Sequence, residues 1–266
     1  MTNTTAVALT KVPEVTLTFW IIKILATTLG ETGGDAVTMS MLHADKNAHN
    51  GGYLIGVGVF LGVFIAAVIA QTAMKKFHPL VYWITIVATT TLGTAMADFV
   101  DRSLGIGYPG GSSILLALLL ASLAVWRLSE GSISVNTVAT PRVEMFYWVA
   151  ILFSQTLGTA LGDWMADTNG LGFGGGALVF FAGLAVVAAA YYLTAISRTL
   201  LFWAAFILTR PLGATLGDLL DKPLNHGGLD ISRYTASAVI AGLMVALLLL
   251  LPQRAGVHPG AREQEA

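Results

Sequence analysis

The sequence has no cysteine and few charged residues, which make up 11% of its 266 positions. Without cysteine, disulfides, thiolate metal sites, iron–sulfur clusters and Cys nucleophiles are excluded. Soluble domains carry about 25% charged residues. A chain that is 55% hydrophobic, with a mean hydropathy of +0.75, lacks the polar surface to cover a water-soluble globule. A formal net charge of -1 leaves no basic excess to neutralise phosphates, so nucleic acid is not an expected partner. Enzyme signatures are missing as well: there is no Walker loop, nucleophile elbow or His-Glu-x-x-His. No residues remain for the soluble nucleotide domain of an ATP-driven pump. These absences predict a non-enzymatic integral membrane protein in which any transport is passive or coupled to an ion gradient, with no firmly implied cofactor.

What is present is a series of apolar runs. A spanning helix needs about 20 mostly apolar residues, and eight such runs are predicted near Val15–Val37, Tyr53–Met74, Leu80–Val100, Ser113–Leu128, Val143–Ala166, Ala177–Ile196, Leu200–Leu220 and Tyr234–Leu251. The fourth and eighth are the most uniformly apolar; the odd-numbered ones are interrupted by Thr, Gly and acids. The polar, Thr-rich first sixteen residues do not resemble a cleavable signal peptide. Lys and Arg residues outnumber those of the opposite face on the side of the termini, where Lys11, Lys75, Lys76, Arg127, Arg142, Arg198, Arg254 and Arg262 fall. The positive-inside rule then makes both termini cytoplasmic. The opposite face, with Asp45, Asp101, Asp167, Asp221 and Asp230, is expected to form an acidic mouth that concentrates cations.

The odd-numbered runs align with one another. Each begins with Trp (Trp20, Trp83, Trp148, Trp203), carries Leu-Gly nine and ten residues later, and reaches Asp fifteen residues after the Trp (Asp35, Asp98, Asp163, Asp218). Two spans per repeat make all four copies enter the membrane in the same direction. The expected fold is all-α, with eight transmembrane helices in four parallel two-helix repeats, arranged with pseudo-fourfold or two-plus-two symmetry. The divisions are a cytoplasmic tail at 1–12, repeats at 13–76 and 77–128, a cytoplasmic linker at 129–141, repeats at 142–197 and 198–251, and a cytoplasmic tail at 252–266. Gly30, Gly93, Gly158 and Gly213 permit close helix approach, and Pro211 is expected to kink the last motif helix.

These four Trp-marked motifs resemble a family of uncharacterised bacterial inner-membrane proteins built from four tandem two-helix repeats. The resemblance runs from about Pro13 to Leu251. It implies the repeat fold and an inner-membrane location, and no substrate.

Positions four apart share a helix face, which gives a stripe of Lys23, Thr27, Glu31 and Asp35 in the first repeat. Around one axis the four stripes form layers: Thr27, Thr90, Gln155 and Arg210; then Glu31, Thr94, Thr159 and Ala214; then the four Asp. With Lys23 and Arg210 as the only cations counted, this face carries a surplus of acid. Carboxylates crowded in a low dielectric must bind protons or a cation, and intramembrane ionisable groups are functional candidates. The Asp ring has an equally physical structural reading, in which each carboxylate bonds a neighbouring repeat or caps a helix. The Trp residues read as interfacial anchors or packing elements. His43, Asp45, His49, His226 and Asp230 match no closed metal motif, and Met39, Met41, Met96 and Met165 read best as lipid-facing packing.

The expected function is a secondary transporter or exporter of a small cation. A divalent metal such as manganese is the best fit, bound as substrate by Glu31, Asp35, Asp98, Asp163 and Asp218, with exchange for protons through Glu31. Thr27, Thr90, Gln155, Arg210 and Lys23 complete the path. Beside it stand export of an organic cation or small solute on the Trp faces, and a non-transporting scaffold or sensor whose Asp residues hold the repeats together.

Overall fold

The computed structural model describes residues 9–44, 51–168 and 170–257. Eight α-helices run in chain order: α1 (Leu17–Asp35), α2 (Gly52–Ala73), α3 (Pro79–Asp98), α4 (Gly107–Glu130), α5 (Pro141–Asp163), α6 (Gly172–Leu193), α7 (Arg198–Asp221) and α8 (Arg233–Leu250). Two starts follow from local chemistry, since Thr16 and Thr140 cap α1 and α5 by accepting from Phe19 and Val143 N–H. Pro at the first position of α3 and α5 fits a helix start, where its missing N–H costs nothing. Among the described residues, seven helices are long and apolar enough to cross a membrane. The exception is α1, whose sequence carries Lys23, Glu31 and Asp35.

The motif helices form a closed ring in the order α1, α3, α5, α7, each packed on its two neighbours. Each even helix packs on the motif helix of the following repeat: α2 on α3, α4 on α5, α6 on α7, and α8 back on α1. No repeat is therefore a self-contained hairpin, because every outer helix buries its inner face against the next copy. The outer helices are largely exposed, with Leu54, Ile69, Leu120, Leu178, Phe181 and Leu249 on their surfaces.

Glycine sets the closeness of the ring. A Cβ on Gly30 would collide with Thr90, and one on Gly93 would lie 3.0–3.1 Å from Gln155 and Thr156. The same holds for Gly158 against Arg210 and for Gly213 against Thr27. In each case the motif glycine faces the middle-layer residue of the next repeat, and the fourth contact returns to the first helix. This is the pseudo-fourfold arrangement, closed by backbone-to-side-chain contact between small-residue faces.

Three motif helices continue past their Asp as single π-helical turns, at Ala36–Met41, Phe99–Ser103 and Trp164–Thr168. The fourth instead stays α-helical to Asp221 and runs unbroken through Pro211, so proline does not end it. At the Trp end, β1 (Leu9–Pro13) pairs antiparallel with β2 (Ala255–Val257), within stretches read from sequence as tails. Lys11 forms a 2.5 Å ion pair with buried Glu144 and donates to the Thr72 carbonyl. Both ends of the described chain are thereby joined on one face.

Candidate functional site

All sixteen residues of the four stripes, with Ile86, Ile151 and Phe206 matching Lys23, are buried, and they differ sharply in what they do. Near the Trp end, Lys23 Nζ lies 4.1 Å from the centre of the Phe206 ring and 3.5 Å from Gln155 Oε1. The middle layer belongs to helix packing. Thr90 Oγ1 donates to the Ala26 carbonyl of α1, and Thr27 Oγ1 bonds the Thr209 carbonyl of α7. Both hydroxyls are thus shared between a carbonyl of the preceding motif helix, at 3.2–3.3 Å, and one of their own helix, Ile24 or Val87, at 2.8–2.9 Å. Thr159 Oγ1 bonds Gln155 of its own helix. These hydroxyls, expected along an ion path, sit in or beside the seams between motif helices. In a ring this tight, a Thr on the contact face reaches a neighbour's carbonyl before it reaches the axis.

The next layer holds a buried ion pair. Arg210 Nη2 donates to Glu31 Oε2 at 2.8 Å and to Thr94 Oγ1 at 2.7 Å. Arg210 Nε and Nη1 have no hydrogen-bond partner among the described residues.

The Asp layer is divided in two. Arg102 Nε lies 3.1 Å from Asp98 Oδ1, and its Nη2 donates to Asp163 Oδ2 at 3.1 Å. On the other side Lys222 bridges Asp35 and Asp218, with 2.9 Å to Asp218 Oδ1. Each cation follows its own motif Asp by four residues, one turn on, and crosses to the Asp of an adjacent repeat. The other two repeats have Met39 and Asp167 at that position. The ring is therefore fourfold in backbone and twofold in charge.

In the sequence Arg102 and Lys222 fall beyond the apolar runs. Their arrival cuts the expected acid surplus of this face from three to one, five carboxylates (Glu31 and the four Asp) standing against Lys23, Arg210, Arg102 and Lys222. The turn that follows each motif Asp brings position +4 back onto the ring. Burial disfavours the ammonium of Lys222, but Asp218, Asp35 and Asp221 outweigh it and hold its pKa well above the ordinary lysine value.

One group of carboxylates converges beyond simple pairing. Glu31, Asp35 and Asp218 each offer an oxygen within 4.8 Å of the others, all buried. Asp35 Oδ1 has no hydrogen-bond partner among the described residues. Asp98 and Asp163 lie apart from this group, on the Arg102 side. Above the layer a cavity of about 250 Å³ is lined by Asp163, Asp167, Asp218, Arg102, Lys222 and Arg233, with Tyr53, Tyr108 and His226 beside them. The mouth is thus not simply acidic: cations interleave with its carboxylates. Asp101 is buried against Gly111 of α4 and Asp230 is exposed; Asp45 and His49 lie outside the described residues.

The Trp residues close the opposite end. Trp83, Trp148 and Trp203 are buried, and they meet Phe19, Tyr82 and Trp126 at ring distances of 5.5–6.0 Å. Tyr82 and Tyr147 share a 2.6 Å hydroxyl contact in the same cluster. None of the four Trp is among the residues that line the vestibule; Trp203 instead borders a separate cavity of about 450 Å³ beside Arg127 and Ser197.

Sequence reasoning put Asp221 in the acidic mouth but missed Arg102 and Lys222, and Arg233 at 3.6 Å from Asp221 behind them. The signal was available in the Asp-to-cation spacing of four, in two repeats of the four.

Comparison with known proteins gives one positive result. The family described as "Repeat of Unknown Function (DUF347)" matches residues 18–77, 81–132, 146–197 and 201–253, one match for each repeat read from the sequence. No curated protein and no solved structure matches the chain.

Proposed function

The chain belongs to the DUF347 repeat family, and from its site we propose that it is a multi-pass bacterial inner-membrane secondary transporter or exporter of a divalent cation such as manganese. The observation that carries this reading is the convergence of Glu31, Asp35 and Asp218 within 4.8 Å, with Asp218 lining the vestibule. Carboxylate oxygens are the donors hard divalent ions prefer, and Asp35 Oδ1 is buried and unpartnered among the described residues. Under this reading all eight helices cross the bilayer. The central place of α1, packed by α3, α7 and α8, supports that count, since its charged residues then meet protein and not lipid. The Lys and Arg excess on the face of the termini supports a cytoplasmic Trp end. The vestibule then opens outward, while aromatic rings fill the inner end.

The test is flux. Purified protein in liposomes is expected to carry Mn²⁺ down a gradient, and Asp35→Asn, which keeps an acceptor for Lys222, is expected to abolish that flux while the variant still folds. Absence of divalent flux by the wild type would overturn the proposal.

A second reading, a scaffold held together by its charges, has its own support: Arg102 and Lys222 each join the Asp residues of two repeats. Under it, Asp35→Asn melts earlier and no metal raises the melting temperature of the wild type.

A further inference from the structure

Arg102 and Lys222 occupy equivalent positions and do different work. Arg102 grips Asp98 and Asp163 with two separate nitrogens, Nε and Nη2, each at 3.1 Å. A guanidinium is a rigid planar fork, and using two arms on two helices fixes both. Lys222 meets Asp35 and Asp218 with a single nitrogen at the end of a flexible stem. Only the lysine-bound pair belongs to the three-carboxylate cluster with Glu31. Both cations border the vestibule, and so does Asp218 of the cluster, so Lys222 holds its carboxylates at the edge of that cavity.

Charge decides what can replace it. Glu31, Asp35 and Asp218 carry three negative charges, and Arg210, fixed on Glu31 at 2.8 Å, cancels one. The ammonium cancels one more and leaves the cluster with a single uncompensated negative charge. A monovalent cation in its place changes nothing, whereas a divalent cation brings the cluster to neutrality. The displaced ammonium has somewhere to go: Asp221 Oδ1 lies 3.8 Å from Nζ and Asp221 is also near Arg233.

We propose that Lys222 is a tethered stand-in for the transported ion. A divalent cation entering from the vestibule displaces the ammonium from Asp35 and Asp218, Lys222 swings towards Asp221 and the cavity, and its return expels the ion. Lys222 is then a specificity-determining residue that selects divalent over monovalent cations and keeps the emptied site from being left without a counter-charge. The inference rests on the transporter reading above.

The test uses the full-length purified protein with MnCl₂ as probe and NaCl as control. An amine-acylating reagent followed by mass spectrometry reads the exposure of Lys222, and the affinity of Lys222→Met for Mn²⁺ is compared with wild type. Displacement predicts that Mn²⁺, and not Na⁺, increases acylation of Lys222, and that Lys222→Met binds Mn²⁺ about tenfold or more tightly, since no internal competitor remains. Acylation on the wild-type chain keeps the test decisive if the variant does not fold. Saturable Mn²⁺ binding to wild type with unchanged acylation overturns this inference and leaves the transporter reading standing. No Mn²⁺ binding to either protein overturns both.

Discussion

Gly213 of α7 lies against Thr27 of α1, repeating across the ends of the chain the contact that joins Gly30 to Thr90 within it. A ring of four consecutive segments closes only if the last meets the first as its predecessors meet one another. The backbone of α7 passes so near Thr27 that there is no room for a side chain between them.

Gly213→Ala is therefore expected to open that seam. The added Cβ would overlap the Thr27 side chain, and overpacking of this kind costs about 1–3 kcal/mol. Gly58→Ala, on α2 with nothing within 4 Å of the added carbon, serves as the control. Thermal melting in detergent should separate them, with Gly213→Ala melting well below wild type and Gly58→Ala close to it. Equal melting temperatures would mean that this seam yields without cost.

The buried pair of Arg210 and Glu31 makes an asymmetric prediction. Glu31→Gln leaves a guanidinium with 0% exposure and no carboxylate, and removing one partner of such a pair costs about 3–5 kcal/mol. The double variant Glu31→Gln with Arg210→Met removes the stranded charge and should recover most of the loss in melting temperature. A double variant no more stable than Glu31→Gln alone would show that the pair is not the source of the penalty. Because of this cost, Glu31→Gln by itself is a poor probe of transport.

Arg102→Lys preserves charge and should still destabilise. A lysine at 102 would have to reach both carboxylates with one nitrogen, as Lys222 does. The planar fork holds Asp98 and Asp163 on two separate nitrogens, and weakening one charged hydrogen bond costs up to about 1.5–3 kcal/mol. The expected result is a lower melting temperature, with hydrogen exchange rising first in the turn at Phe99–Ser103. A variant as stable as wild type would remove the distinction between the rigid and the exchangeable half of the ring.

Much of this was legible in the sequence because the repeat is explicit. The Trp, Leu-Gly and Asp spacing located the motif helices, and the four-residue stripe from Lys23 to Asp35 found the face that turns inward. What was hidden depended on rotation and reach. Whether Thr27 points along the axis or into the seam depends on how closely α1 and α7 approach, and that distance is set by Gly213 on another helix. Arg102 and Lys222 looked like loop residues because the apolar runs end near Asp98 and Asp218. An extra turn of helix, invisible to hydropathy, carries them back. The pairing of N- and C-terminal strands is short and non-local, joining residues 9–13 to 255–257, and no local pattern announces it.

The division of the Asp ring gives the sharpest contrast between equivalent residues. Asp35 and Asp163 are the same motif position in repeats one and three, and each is paired with a cation from another repeat. Only Asp35 also joins Glu31 and Asp218. A ligand that binds the folded state stabilises it by about 2.7 kcal/mol at a hundredfold excess over Kd. If the ion sits among Glu31, Asp35 and Asp218, saturating Mn²⁺ raises the melting temperature of wild type and of Asp163→Asn by similar amounts. It then has little effect on Asp35→Asn, although both variants begin from lowered stability because each weakens one clip. Equal loss of the Mn²⁺ effect in the two variants would place the ion on the fourfold axis, shared by all four Asp, and would make the charge asymmetry of the ring irrelevant to binding.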